Sequence, residues 1–215
     1  MQFPIVNTVW STANGDKLVF DMARVSVRNP VEKSPSQLLN YLIEHKHWSP
    51  FQMANLCVEV WTPRDISRQI LRHQSVSGFQ EFSQRYAEVD PDMFIKRECR
   101  LEHPTNRQMS LPCTDAGIAD LWEDIQADTI TRTIQNYQKA RQAGIAKEVC
   151  RVILPEGLTL SRMYMNASVR TWIHFLQVRT DDDTVQKEHV QTARAILPHF
   201  AVAFPLIHKA LFETE

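Results

Sequence analysis

The sequence is poor in the residues that make a chain flexible or extended. Only five of its 215 residues are glycine and eleven are proline, which excludes collagen-like and linker-rich architectures. Long apolar runs are missing as well, since no stretch approaches the roughly 18 uncharged apolar residues that span a bilayer. The start of the chain, at 1–4, lacks the basic and apolar regions of a secretory signal. We therefore expect a cytoplasmic protein with no membrane partner.

The sequence also lacks an excess of charge of either sign. Its formal net charge is −1, so no overall positive field would hold it on a nucleic-acid backbone. The alternative of a helical nucleic-acid binder rests on Arg64, Arg68 and Arg72, which recur every four residues on a predicted helix. We expect no nucleic-acid partner, and any bound phosphate must be held by arginines that the fold gathers locally.

Metal-ligand spacings are absent. His45 and His47 have no third ligand nearby, and the four cysteines form no C-x-x-C pair. We therefore predict no metal site. The thiols that we expect to be reduced and unpaired are those of Cys57, Cys99, Cys113 and Cys150.

What is present is the composition and patterning of a globular protein. Hydrophobic residues make up 43% of the chain and charged residues 23%, and the length suffices for one sizeable core. No internal repeat divides the chain, so we expect a single domain over 1–215. Apolar periodicity predicts an α+β fold rich in helix. The predicted elements are strands at 4–11, 54–61 and 158–164 and helices at 17–24, 34–44, 62–72, 115–144, 146–154, 166–179 and 184–212.

Local signals set several of the predicted boundaries. The residues expected to cap helix starts are Ser34, Thr62 and Asn166. Gln37 should complete a capping box with the first of these caps. Gly144 suits the position just after a helix end, and Pro198 and Pro205 should interrupt the last helical segment.

The polar stretch from Arg72 to Tyr86 is the most informative part of the chain. A helix end delivers arginine and histidine into a loop that is rich in hydroxyls and amides. Beyond it, Glu81, Ser83 and Arg85 alternate and would point the same way if the chain is extended. Guanidinium groups suit phosphates, while glutamine and serine suit the edge of a base or ribose. The stretch predicts a nucleotide site, the alternative being a solvated surface loop.

The same stretch resembles the signature of the flavin-dependent thymidylate synthases, which runs Arg-His-Arg, seven residues, Ser, and Arg two places on. The phrase at 79–86 is similar to one branch of that family nearly letter for letter. The segments 45–51, 68–72 and 144–155 and the late helix that carries Arg170, His174 and Arg179 also resemble family segments, in the same order. The resemblance covers about residues 20 to 190.

The resemblance implies a central, mostly antiparallel sheet flanked by long helices, and a homotetramer with its sites where subunits meet. It implies conversion of dUMP to dTMP with bound FAD, with methylenetetrahydrofolate as one-carbon donor and NADPH as reductant. In this family no cysteine attacks the uracil ring, in keeping with the absence of cysteine from the signature stretch.

The resemblance also assigns site residues. Arg179 would hold the uracil and stabilise negative charge that develops on the ring, as an oxyanion hole does. The residues assigned to the substrate are Gln69, Arg72, Glu81, Ser83, Gln84, Arg85, Arg151 and Arg179. Those assigned to the flavin region are His47, Ser49, Arg72, His73, Gln74, Glu81, Ser168, Arg170 and His174.

Two positions depart from the signature. Gln74 stands where the triplet has arginine, and the spacer before Ser83 has eight residues, 75–82, with Gly78 inside it. An added loop residue costs little closure entropy, but it changes the path of the loop beside the ligands. Two alternatives therefore stay open. One is a C5 methylase or hydroxymethylase acting on UMP or another pyrimidine nucleotide, and the other is a flavin or nucleotide binder without catalysis.

Overall fold

The chain folds into one sheet, a separate hairpin and a set of helices. The computed structural model describes residues 3–28 and 33–213, so both ends of the predicted 1–215 domain lie outside the described residues. The strands are β1 (Ile5–Ser11), β2 (Asn55–Pro63), β3 (Gly78–Glu81), β4 (Arg100–Glu102), β5 (Ser110–Pro112) and β6 (Leu160–Ser168). The helices are α1 (Gly15–Ala23), α2 (Pro35–Glu44), α3 (Arg64–Ile70), α4 (Ala116–Gln142), α5 (Lys147–Cys150), α6 (Val169–Arg179), α7 (Lys187–Ala203) and α8 (Pro205–Phe212).

The sheet has the strand order β1-β2-β6-β3, and every neighbouring pair is antiparallel. β4 and β5 form a hairpin of their own. Among the helices, α4 has 27 residues and α7 has 17. The predicted α+β class, with a mostly antiparallel sheet and long flanking helices, is confirmed.

The core lies where the two central strands meet the helices. Leu56 and Val58 of β2 and Met163 of β6 are fully buried, since alternate residues of a strand face the same side. Trp172 of α6 belongs to the same core and donates its indole N–H to the carbonyl of Leu56 at 2.9 Å. Burying each aliphatic side chain of this size contributes roughly 1.5–3 kcal/mol, so this core fixes the elements that carry the site.

Boundaries set by local chemistry are found where they were predicted. The Ser34 hydroxyl accepts from the backbone N–H of Gln37 at 3.3 Å, and the Gln37 side chain accepts from the backbone N–H of Ser34 at 3.1 Å. This pair is the predicted capping box. After α4 the chain turns at Gly144 with φ of 83°, a conformation that glycine adopts without strain.

Two predicted caps are wrong, because tertiary contacts take the residues into strands. Asn166 pairs inside β6 with Cys57, and the helix that follows is capped by Ser168, whose hydroxyl accepts from the Thr171 backbone at 3.4 Å. The predicted strand at 158–164 therefore begins and ends later, because burial alternates as far as Ala167. Similarly, Thr62 stays in β2, and its buried hydroxyl bonds to that of Thr192.

The sequence predicts a kink or a break at Pro198, and no break occurs there. Helix α7 continues through Pro198 to Ala203, because residues on both sides, Ile196 and Phe200, are fully buried in one core. The break comes at Phe204, and Pro205 opens α8, where its missing N–H costs no helical hydrogen bond. The predicted helix at 146–154 is shortened to α5 and a 3-10 turn at Arg151–Ile153. The short strands β3, β4 and β5 were not predicted.

Across 3–28 and 33–213, the helices are all too short or too polar to cross a membrane.

Candidate active site

The polar stretch that follows α3 is anchored along the edge of the sheet. Its first part turns tightly, with the Val76 N–H bonded to the His73 carbonyl, and its middle part is the edge strand β3. The carbonyl of Ser75 accepts from the Thr171 hydroxyl at 3.0 Å, and the Ser77 hydroxyl donates to the Asn166 carbonyl at 2.7 Å. The stretch is therefore held against the end of β6 and the start of α6.

A groove beside the start of α6 gathers part of the predicted flavin region. This α6 groove has a volume of about 720 Å³. Its lining includes Trp48, Gln52, Ser75, Ser168, Arg170, His174 and Gln177. A smaller hollow of about 510 Å³ shares Trp48 and Arg170 with it and is also lined by His47 and Ser49. The fold thus brings together two segments that lie more than a hundred residues apart.

His73 does not itself line this groove but packs against His174, which does. Its ring is buried and lies 5.3 Å from the ring of His174, with an interplanar angle of 38°. Burial lowers the pKa of His73, and the nearby His174 and Arg179 lower it further. The imidazole is therefore uncharged near neutral pH, while its neighbours Arg72 and Gln74 are exposed.

Arg179, the predicted catalytic residue, is half-buried at the end of α6. Its Nε has no hydrogen-bond partner within 3–28 and 33–213, and no carboxylate of those residues pairs with its guanidinium. Gln69, predicted to contact the substrate, lies in the same buried region and donates to Gln186 at 2.7 Å. The site therefore holds a positive charge that no carboxylate of the described residues neutralises.

Glu81 is engaged inside the protein. One carboxylate oxygen accepts from Ser161 at 2.6 Å and from Ser67 at 2.8 Å, with Arg64 at 3.5 Å, and the other pairs with Arg68. The arginine row of α3 is thus divided, because Arg64 and Arg68 turn toward this carboxylate whereas Arg72 is exposed. The predicted ligand contact of Glu81 stays a prediction.

The remaining predicted substrate residues lie elsewhere. They form the α5 group, made of Ser83, Gln84, Arg85 and Arg151. Gln84 is buried, and Arg85 donates to Glu148 of α5 at 3.0 Å. Burial lowers the pKa of Arg64, Glu156 raises it and the charge of Arg151 lowers it, which places Arg151 near the start of α3.

The single chain therefore divides the predicted residues into two sets. His73 follows the end of α3, whereas the α5 group lies by its start. Helix α3 has seven residues and rises 1.5 Å per residue, so the two sets are separated by roughly 10 Å along it. No residue of the α5 group lines the α6 groove or the adjoining hollow.

Some residues of the region were missed by sequence reasoning. Gln186 and His189 lie beside Gln69, yet they fall where no quoted family segment marks a role. Only the tertiary packing of α7 on α6 reveals them. Trp48 is not among the assigned site residues, yet it lines both cavities. Over the described ranges, no cluster of three or more histidine, cysteine or acidic residues could hold a metal ion.

The donors of the α6 groove suit a flavin nucleotide. Arg170 offers a fork for a diphosphate, the Ser168 and Ser75 hydroxyls and the Gln177 amide can bond a ring edge, and Trp48 and His174 offer flat faces. By its fold and cavities the chain is thus an α+β protein equipped to bind nucleotide-like ligands. Its residues 8–206 match the family model described as thymidylate synthase complementing protein, and the chain belongs to that family.

Individual relatives agree with this assignment. The chain is 41% identical over 212 residues to a probable flavin-dependent thymidylate synthase of Paramecium bursaria Chlorella virus 1, covering 97% of this chain and 94% of the relative. It is 41% identical over 194 residues to a flavin-dependent thymidylate synthase of Synechocystis, covering 90% and 88%. Among solved structures, a UMP/dUMP methylase, PolB from Streptomyces cacaoi bound with 5-Br UMP, superposes with a TM-score of 0.82 at 26% identity, covering 98% of this chain and 94% of the other.

Proposed function

We propose that the chain is a flavin-dependent thymidylate synthase that methylates C5 of dUMP to give dTMP. Methylenetetrahydrofolate is the one-carbon donor and NADPH the reductant. Family membership and relatives at 41% identity over most of the chain support this activity. The observation that carries it is Arg179, a half-buried guanidinium with no carboxylate partner in the described part of the chain.

Arg179 acts on the uracil ring. Its fork donates to a ring carbonyl, and its fixed positive charge stabilises the negative charge that forms on the ring as C5 gains its new bond. Its Nε is buried, and the neighbouring His73 is buried as well and packs on the fully buried Phe175 at 5.3 Å. Charge stabilisation is stronger in such surroundings than in water.

The α6 groove holds FAD. His47, Ser49, His73, Ser168, Arg170 and His174 would contact the flavin nucleotide, with Arg72 and Gln74 exposed at the rim. When bound, FAD supplies the one-carbon transfer and the hydride, and the protein supplies placement and charge. No cysteine among the described residues lines the groove or the adjoining hollow, which agrees with a reaction that uses no thiol nucleophile.

The phosphate and sugar of dUMP are bound by the α5 group of a neighbouring subunit. This part of the proposal needs a homotetramer. It is supported by the separation of the two sets in one chain and by large exposed apolar residues near the α5 group and on α4. These residues include Leu121, Ile125, Val149 and Val152, which are 60%, 48%, 52% and 77% exposed. Apolar surface of this kind marks interfaces.

The anchored spacer supports dUMP as the substrate. Gly78 opens β3 without a positive φ, and Ser75 and Ser77 are tied to α6 and β6. The added residue of the spacer therefore lies in a segment that hydrogen bonds hold in place. A cytoplasmic location completes the proposal and agrees with four free thiols.

Purified protein supplied with FAD tests the proposal. We expect dTMP only when dUMP, methylenetetrahydrofolate and NADPH are all present, with omission of each as the control. Product from UMP instead of dUMP would show the same chemistry on a different substrate. Binding of FAD and dUMP with no product from either nucleotide would show a binder without catalysis.

A further inference from the structure

His189 is a buried imidazole that the proposed reaction does not use. It is the third residue of α7 and is 0% exposed. Its ring lies 6.0 Å from that of Phe175, against which His73 also packs at 5.3 Å. Arg179 stands four residues after Phe175 on α6, so it lies on the same face of that helix. His189, His73 and Arg179 therefore converge around one phenyl ring.

A chain of hydrogen bonds with a fixed direction leads to His189. It starts at Glu188, whose carboxylate can only accept and so receives the amide N–H of Gln186 at 3.0 Å. The Gln186 oxygen must then face Gln69, which donates to it at 2.7 Å. The Gln69 oxygen consequently faces His189, with Nδ1 at 3.3 Å. Because an amide oxygen only accepts, Nδ1 of His189 must carry the proton.

The carboxylate of Glu188, which starts this chain of hydrogen bonds, is ionised. Glu188 lies 2.6 Å from Nη2 of Arg100 and 3.2 Å from Nη2 of Arg97. Burial alone would raise the pKa of Glu188, but the two arginines lower it to about 2. The carboxylate therefore stays an acceptor at physiological pH, and the direction of every bond that follows is set.

The far nitrogen of His189 is then a free acceptor. In a neutral ring with the proton on Nδ1, Nε2 carries a lone pair, and it is buried without a partner in the described part of the chain. The Nε of Arg179, which can only donate, is likewise buried there without a partner. The two nitrogens do not bond each other in the free chain. Because leaving a buried donor or acceptor unpaired is unfavourable, one bond between this acceptor and this donor would satisfy both.

We propose that His189 is a positioning residue, whose Nε2 accepts from Nε of Arg179 when dUMP binds and so aims the guanidinium fork at the uracil. This inference rests on the proposed role of Arg179 in dUMP methylation. Glu188, Gln186 and Gln69 act through it by fixing the tautomer. The charged or titratable groups around the ring are Arg179 of α6 and His73 of the turn after α3. Burial, Arg179 and His73 lower the pKa of His189 to about 4, so the ring remains an acceptor at neutral pH.

Two substitutions test the roles of the two ring nitrogens of His189 separately. In His189→Asn the amide N–H lies near the position of Nδ1 and keeps the bond to Gln69, but the acceptor for Arg179 is lost. In His189→Gln the longer side chain brings an oxygen to the position of Nε2 and keeps that acceptor. We expect kcat of H189N to fall roughly 10- to 100-fold at little change in KM for dUMP, since misplacing a reacting group costs about this much. H189Q should keep kcat within a few-fold of the wild type.

The tautomer gives a readout that needs no activity and no variant. Nitrogen-15 spectra of the wild-type protein should show His189 protonated on Nδ1 and not on Nε2 between pH 6 and 8. An Nε2–H tautomer, or H189N with wild-type kcat at an unchanged melting temperature, overturns the proposal. So does H189Q falling as far as H189N, which would point to pairing of His189 with His73. If wild-type protein makes no dTMP, the proposed function fails, and the tautomer is still tested by the spectra.

Discussion

At the scale of one residue, the fold leaves the positive charge of Arg179 available to bind a ligand. Most interior and half-buried arginines of the chain are paired, as Arg97 is with Asp65 and Glu188. Arg179 instead sits beside His73 and His189, whose lowered pKa values keep them uncharged near neutral pH. A charge held in this way costs stability in the free protein and becomes favourable when an electron-rich ligand arrives.

Arg179→Ala should therefore lower kcat/KM for dUMP by roughly 10²- to 10³-fold, the usual cost of losing one group that stabilises developing charge. Arg179→Lys is the matched control, because it keeps the charge and loses the fork; we expect an intermediate rate. The free energy of unfolding of the alanine variant should not decrease, since no ion pair is lost. Steady-state dTMP formation and urea titration measure the two effects, and an alanine variant with wild-type kcat/KM contradicts the assignment.

Glu188 gives a pH-dependent prediction at the same scale. Its pKa is lowered from 4.5 to about 2 in the folded state, a difference of about 2.5 units, or about 3 kcal/mol. Because the folded pKa is depressed, this stability is present above pH 4.5 and is lost as the pH falls toward 2.

Glu188→Gln should lower the free energy of unfolding by about 3 kcal/mol at pH 7, and the difference from the wild type should shrink between pH 4.5 and pH 2. Urea titrations at several pH values measure it. Glu148→Gln is a control, since Glu148 is 52% exposed and pairs only with Arg85. An E188Q difference that is the same at pH 7 and pH 3 would falsify this account of the carboxylate.

At the scale of elements, the outcome of each sequence prediction depended on the range of the interaction involved. The capping box at Ser34 and the turn at Gly144 depend on neighbours within four residues and were predicted correctly. The caps assigned to Thr62 and Asn166 failed, because partners more than a hundred residues away hold them in strands. The helix through Pro198 continued for the same reason, since tertiary burial outweighed a local preference.

The contact between α1 and α8 gives a prediction for elements. A Cβ on Gly15 would lie 2.1 Å from the ring of the buried Phe204, whereas a Cβ on Gly157 would meet nothing within 4 Å. Gly15→Ala should lower the free energy of unfolding by about 1–3 kcal/mol, the usual cost of overpacking. Gly157→Ala is the control and should stay within about 0.5 kcal/mol of the wild type. Equal stability of the two variants in urea would show that α1 and α8 do not pack in this way.

The site was predictable from the sequence only in part. The segments that line the α6 groove carry family-like strings, so His47, Ser168 and His174 could be named in advance, and the fold brings them together. The bond chain through Gln186 to His189 could not be predicted, because it exists only when α7 packs against α6. The separation of the α5 group from the groove could not be predicted either, because a sequence motif does not give the distances between its residues.

At the scale of the whole molecule, the proposed function has the two sets of predicted residues meet between copies of the chain. We expect a particle of about four times the 25.0 kDa chain mass. Leu121→Glu should shift it toward smaller species and lower dTMP formation with it, because a charge in an apolar interface is left without solvent or partner.

Val202→Glu is the matched control for that experiment. Val202 is 85% exposed and is the one large apolar residue exposed among the described residues of α7, unlike the group of such residues on α4 and near α5. An isolated surface apolar residue does not mark an interface, so its substitution should leave the mass unchanged. Light scattering on both variants decides the matter. A wild-type monomer that makes dTMP, or a tetramer that withstands L121E with full activity, contradicts the proposed interface.

A competition between dUMP and UMP tests the proposed function most directly. Purified protein with FAD, NADPH and methylenetetrahydrofolate labelled with carbon-13 in its methylene group is offered equal amounts of dUMP and UMP, and the nucleotide products are analysed by mass spectrometry. We predict dTMP that carries the label in its C5 methyl group as the main product. Labelled 5-methyl-UMP as the main product, or no label in either nucleotide, would contradict the central claim.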